Sequence, residues 1–516
     1  MTTTPPPPTP APVHGPGAPG AAQAAFHPGG YHTGVSLLGG WLPLTIEIVT
    51  VVALIAVVGW RTGRWRVVWV PVSVVIGVLG ALLARWYMDS QGLASDPAPA
   101  ALWVWTGVAA AAVAVAALGW RGTRWWRRGL SVLAIPLSLA SVLLVLNQWV
   151  GYYPTVQAAW GAVTAGPLPD QVDASALPGL RGTTMSTGKV VSVDIPDTAS
   201  GFNHRTEYVY LPPAWFAGKT PPKLPVIMMI AGEFNTPADW MRSGNVIPVI
   251  DGYAQSHGGQ APILVFVDAG GSFNNDTECV DGPRGNSAGH LTEDVRPYVI
   301  SHFGASSAAA NWGIVGWSMG GTCAVDLTVM HPDLFSSFED IAGDLGPTAG
   351  TKAQTIDRLY GGNPAQWAKF DPTTVMQAHG RYTGVSGWFE DTGTPNRPGM
   401  WKGAKGKNFS GFHRPTQQNS APNGFGGQDN TRDTDESGAA EKLCAAATKD
   451  AISCSVHTAP GGHTWQFASA AFPAALPWMA AQLHTPGTAP VASTPAAAAT
   501  TAAVTAPKPA PAPEPR

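Results

Sequence analysis

The chain has 516 residues, a formal net charge of −3 at pH 7 and only 12% charged residues. That balance excludes the electrostatic footprint of a nucleic-acid binder, and no basic stripe marks its later, more polar part. The length allows about two to four domains.

Residues 1–34 are rich in Pro, Gly, Ala and Thr and contain no Lys, Arg, Asp or Glu. Such a composition cannot bury a core and reads as a disordered tail. Between residues 35 and 150 come four apolar stretches, near 37–60, 67–88, 101–120 and 130–150. Each is close to the ~20 residues that span a bilayer core. Glu47 is the only charge inside the first and is expected to face another helix, because a lone carboxylate in lipid is costly. Arg61, Arg64 and Arg66 follow the first stretch, and Arg121, Arg124, Arg127 and Arg128 follow the third. The loop between the second and third has Asp89 and Asp96 but no Lys or Arg. By the positive-inside rule the Arg-rich loops are cytoplasmic, which puts both tails and everything after Gly151 outside. Gly59-Trp60-Arg61 recurs as Gly119-Trp120-Arg121, and Arg64-Trp65 as Arg124-Trp125. That echo indicates a duplicated two-helix unit with tryptophans suited to the interface of a lipid bilayer. The expected role of this region is anchoring.

A linker is expected over 151–184, a folded domain over 185–485 and a second Pro/Ala/Thr-rich tail over 486–516. KVVSVDI and TEYVYLP (from Lys189 and Thr206) suggest an opening antiparallel pair. Leu224–Ile230, Ile263–Ala269, NWGIVGW, SFEDIAG, GVSGWFED and ISCSVHT follow, separated by helical patterns. Short runs rich in Val, Ile and aromatics between helices predict a mostly parallel α/β sheet. All four cysteines, Cys279, Cys323, Cys444 and Cys454, lie in this domain. An even number outside the cytoplasm permits disulfides. Cys444 on a helix and Cys454 on the next strand suit one pair, and a Cys279 pairing with Cys323 would stiffen the turn before it. Free buried thiols are the alternative.

The chemistry is concentrated in Gly316-Trp317-Ser318-Met319-Gly320. An apolar strand enters this pattern and an apolar helix leaves it, the setting in which a G-x-S-x-G serine becomes a nucleophile. A serine hydroxyl needs an imidazole to take its proton, and the imidazole needs an oriented acid. His463 in Pro460-Gly461-Gly462-His463-Thr464-Trp465 follows the last strand on a glycine-rich loop, the place for that base. His457 lies on the strand itself, His484 is near the tail, and His290, His302 and His331 fall in helical segments.

With these pieces the domain resembles the esterase D/antigen 85 branch of the α/β-hydrolases. The resemblance rests on GWSMGG with HPDLF, GSFNNDTECVDGPRGN before HLTEDVRPYVISHF, DTGTPN after a late strand, and PGGHTWQF. It implies the α/β-hydrolase fold, here preceded by four transmembrane helices, and an acyl-enzyme on Ser318 with no cofactor or metal. It also implies oxyanion donors from the backbone N–H groups of Met319 and Glu233. The acidic partner is harder to place. Where many relatives carry Asp in G-T-x-D, this chain has Asn396. Spacing back from the following helix selects Asp433, with Asp435 and Glu441 as alternatives and Asp391 too early on its strand. Ala231 stands where antigen 85 mycolyltransferases carry an Asp for their sugar, which removes the main reason to expect trehalose mycolylation. The inserted stretch 397–432 could be a lid or a solvated loop. The expected substrate is an acyl ester or glycolipid of the cell envelope, with a non-catalytic envelope-binding module as the rival reading. The sequence leaves the oligomeric state open.

Overall fold

The computed structural model describes residues 34–59, 61–91, 98–121, 123–164, 168–392 and 436–488. Most of both terminal tails, the insertion 397–432, and Asp433 and Asp435 lie outside the described residues.

Four helices open the chain: α1 (Trp41–Val58), α2 (Val70–Gln91, after a π turn at Trp65–Trp69), α3 (Ala100–Gly119) and α4 (Trp125–Val150). All four are long and apolar enough to cross a membrane. Ile55, Leu79, Leu83 and Leu143 are each more than half exposed, an outward apolar coat that water would not tolerate. Inside the bundle, Thr50 Oγ1 on α1 and Ser141 Oγ on α4 lie 3.4 Å apart, both buried. Pairing hydroxyls across helices is how apolar bundles satisfy the few polar groups they carry.

The second part is a nine-stranded sheet. Its strands are β1 (Gln171–Val172), β2 (Lys189–Val193), β3 (Glu207–Leu211), β4 (Val226–Ile230), β5 (Ile263–Val267), β6 (Trp312–Trp317), β7 (Ser337–Ile341), β8 (Ser386–Thr392) and β9 (Ser453–Ala459). The order is β1-β2-β3-β5-β4-β6-β7-β8-β9. β2 and β3 form the expected antiparallel pair, β3 also runs antiparallel to β5, and β5 through β9 are parallel. Strands buried on both faces need no polar alternation, which is why VIMMI and ILVFV read as unbroken apolar runs.

Helices cover both faces. α6 (Met319–Met330) and α7 (Glu436–Lys449) lie against one core, to which Cys323, Leu327, Leu443 and Ala447 belong. α5 (Val246–Ser256) and α8 (Trp465–Gln482) lie against the other, with Ile247, Ile250, Phe472 and Met479. Two disulfides form, Cys279–Cys323 and Cys444–Cys454, which settles the choice the sequence left between pairs and free thiols. The first ties a loop to α6, and the second ties α7 to β9.

Candidate active site

Ser318 and His463 follow the carboxyl ends of two parallel strands, β6 and β9. β6 runs into Ser318, which has φ 60° and ψ −126°, a conformation costly for any residue with a Cβ. The surroundings enforce it. Its N–H donates to the Ile341 carbonyl at 2.9 Å, and its own carbonyl accepts from Gly321 and Thr322 at 2.7 and 3.2 Å. A Cβ on Gly316 would collide with the Gly320 carbonyl, and one on Gly320 with the Ile230 carbonyl. Both motif glycines are therefore required by the closeness of β4, β6 and α6. Ser318 itself is 6% exposed.

Met319 opens α6, so its N–H lies at the positive end of that helix. Across from it, a Cβ on Gly232 would lie 3.0 Å from the Ser318 Cβ. The loop after β4 thus passes directly beside the serine, and Glu233 is its next residue. A groove lined by Arg205, Glu233, Phe234, Asn275 and Met319 runs alongside. Two grips hold the loop. Arg205 forms a bidentate ion pair with Asp268 and also donates to the Asn235 carbonyl at 2.8 Å. The Asn235 side chain donates to the Glu233 carbonyl at 2.7 Å and accepts from the Trp465 indole N–H at 2.8 Å.

His463 is buried on the loop after β9, with its ring centroid 5.2 Å from that of Trp317, the residue before Ser318. Ser318, Met319, Glu233 and His463 therefore gather at one edge of the sheet. His457 stays within β9, stacked on Trp388. As for the acid, Asp433 and Asp435 lie outside the described residues, and Glu441 is exposed on α7. Asp391, set aside from the sequence as too early, is buried on β8 opposite Thr458 of β9.

Sequence reasoning missed a carboxyl cluster behind the Glu233 loop. Burial, reinforced by the charge of Asp276 and opposed by Arg284, holds the Glu233 carboxyl well above its ordinary range. Burial pushes Asp276 up to about 6 against the pull of Arg284, and burial with Asp276 beside it raises Glu278 well above its usual value. The motif GSFNNDTECVDGPRGN contains two of these acids, but nothing in it reveals that they meet Glu233.

A second buried group joins His204, Glu207 and His290, whose possible ligand atoms lie within 4.8 Å of one another. His204 Nδ1 faces the Arg205 carbonyl at 2.9 Å and Nε2 faces the Ile195 carbonyl at 2.7 Å. Carbonyls only accept, so these contacts favour the ring that donates from both nitrogens, the imidazolium. Burial opposes that charge, but the two carbonyls and Glu207 outweigh it and raise the His204 pKa. This arrangement suits a structural ion pair and leaves His204 no lone pair for a metal.

The chain is similar to a family model, a sequence relative and several solved structures. The family model described as "Putative esterase" matches residues 202–479. An uncharacterised protein of Corynebacterium glutamicum is 31% identical over 356 residues, 66% of this chain and 80% of its own length. Among solved structures, the chain is similar to an S-formylglutathione hydrolase from Agrobacterium tumefaciens at 17% identity and a TM-score of 0.42, over 58% of this chain and 98% of that one. It is also similar to MPT51 of Mycobacterium tuberculosis at 15% identity and a TM-score of 0.36, over 56% and 99%. With more than half of its length matched by the family model, the chain belongs to the esterase family of α/β-hydrolase-fold serine ester hydrolases.

Proposed function

We propose that the chain is a membrane-anchored, extracytoplasmic serine esterase or acyltransferase acting on an acyl ester or glycolipid of the cell envelope. Ser318 attacks the ester carbonyl while His463 takes its proton, and the backbone N–H groups of Met319 and Glu233 receive the oxyanion. Collapse of the tetrahedral intermediate expels the alcohol, which His463 protonates. Water or a second hydroxyl then takes the acyl group from Ser318. Asp433 is the proposed acid that orients His463. The burial of Asp391 beside β9 favours it as the second reading for that role.

The observation that carries this proposal is the strained backbone of Ser318 between two glycines at the start of α6. Strain of that kind persists where it presents a reactive group. Four apolar helices support anchoring. The Arg-rich loops and two disulfides in one domain support an extracytoplasmic site. A fluorophosphonate probe applied to the full chain in detergent tests the reading. Labelling should occur in the wild type, vanish in Ser318→Ala and fall steeply in His463→Ala. Labelling that survives Ser318→Ala would sink the proposal.

A further inference from the structure

The outer end of the apolar bundle grips both loops that carry the proposed catalytic groups. α4 ends at Val150, and Gly151 turns the chain out of the helix with its N–H on the Asn147 carbonyl at 2.7 Å. The Asn147 side chain then holds the Tyr153 backbone at both polar groups, donating to its carbonyl at 2.9 Å and accepting from its N–H at 2.7 Å. The exit from the helix is therefore a fixed structure rather than a slack tether.

Three contacts lead from this exit to the site. Tyr152 packs against the core that holds Trp240, Met241 and Trp465, and its hydroxyl faces the Asp239 carboxylate. That same carboxylate accepts from the Thr236 N–H and hydroxyl at 2.6 and 2.9 Å, which closes the far end of the Glu233 loop. Phe234, adjacent to Glu233, sits in an apolar cluster with Leu102 of α3 and Val145 and Trp149 of α4. The Gly151 carbonyl accepts from Gln466 Nε2 at 2.8 Å, and Gly151 is close enough to Thr464 that a Cβ would collide with it. Thr464 is the residue after His463. One helix end thus touches the loop of the proposed oxyanion donor and the loop of the proposed base.

Loops are ordinarily the mobile parts of a fold, while an oxyanion donor or base displaced by about 1 Å costs on the order of 100-fold in rate. From this geometry we infer that the bundle is part of the catalytic apparatus as well as an anchor. Tyr152 is its positioning residue, acting through Asp239 on the Glu233 loop. The inference rests on the esterase reading, and it makes turnover of even a water-soluble ester depend on the membrane helices.

The test uses the full chain in detergent with a short-chain soluble ester, comparing wild type, Tyr152→Phe, Asp239→Asn and the double variant. Arg358→Ala serves as control, because it removes a different bond between the two parts, from Arg358 to the Asp89 carbonyl at 2.8 Å. Tyr152→Phe should lower kcat about tenfold with KM nearly unchanged, and the fluorophosphonate labelling rate should fall in step. The double variant should lose little more than either single one, since both cut the same link. Arg358→Ala should retain wild-type kcat. An unchanged kcat in Tyr152→Phe, or losses that multiply in the double variant, would overturn the inference while leaving the esterase reading intact. Absence of Ser318 labelling in the wild type would instead remove the esterase reading itself.

Discussion

The indole N–H of Trp465 donates to the side-chain oxygen of Asn235 at 2.8 Å, across 230 residues of sequence. That bond joins the first residue of α8, two beyond His463, to the loop after β4, which passes beside Ser318. Because Asn235 also holds the Glu233 carbonyl, one amide sets the spacing between the proposed base and the proposed oxyanion donor.

Asn235→Ala removes both bonds and leaves the buried Trp465 N–H without its partner. The account predicts a fall in kcat of about 10- to 100-fold on a short-chain ester, with a much smaller change in KM. Steady-state kinetics decide it. A rise in KM at constant kcat would show that Asn235 shapes binding instead.

A neutral Glu233 is compatible with a developing oxyanion, and an ionised one is not. Its raised carboxyl pKa means that protonation persists past the ordinary carboxylate range and is lost as pH climbs through the raised value. The wild-type kcat should therefore fall more steeply than that of Glu233→Gln as pH climbs past the raised Glu233 value. Parallel pH profiles for the two enzymes would refute this role for the carboxyl group.

The imidazolium of His204 links pH to stability. Its folded-state pKa is raised, so protonation favours the fold. That contribution is complete below about pH 6.5, the ordinary histidine value, and is lost as pH rises through the raised one. Thermal unfolding of wild type and His204→Gln should differ most on the acidic side of this window and converge above it. A gap that stays constant with pH would mean the ring acts by packing alone.

The two disulfides close loops of different length, 44 residues for Cys279–Cys323 and 10 for Cys444–Cys454. Chain entropy predicts losses of about 4 and about 3 kcal/mol when each pair is replaced by serines. Only the first anchors α6, so its removal should also depress kcat, whereas the second pair should affect stability alone. Activity followed against urea concentration measures both effects. Equal kcat losses in the two double variants would contradict the assignment.

Much of the fold could be read from local pattern. Buried parallel strands such as Val226–Ile230 announce themselves as apolar runs, and the turn at Ser318 is legible because its glycines are a local steric requirement. His463 was proposed from its place after the last strand, and the structure puts it on that loop, buried beside Trp317. What could not be read were contacts between distant segments. Nothing near Tyr152 names Asp239, nothing near Gln466 names Gly151, and four cysteines alone allow three pairings. The acid stayed hard for a related reason. Asn396 occupies the position where the resembling family carries its acid, and the intervening stretch has no regular period from which to count.

The most direct test of the central claim is peptide mass spectrometry after rapid quenching of the full chain during turnover of a short-chain ester. The account predicts the acyl mass on the peptide containing Ser318, with both adduct and turnover lost in Ser318→Ala. Turnover that persists in Ser318→Ala, or an acyl group carried on another residue, would contradict it.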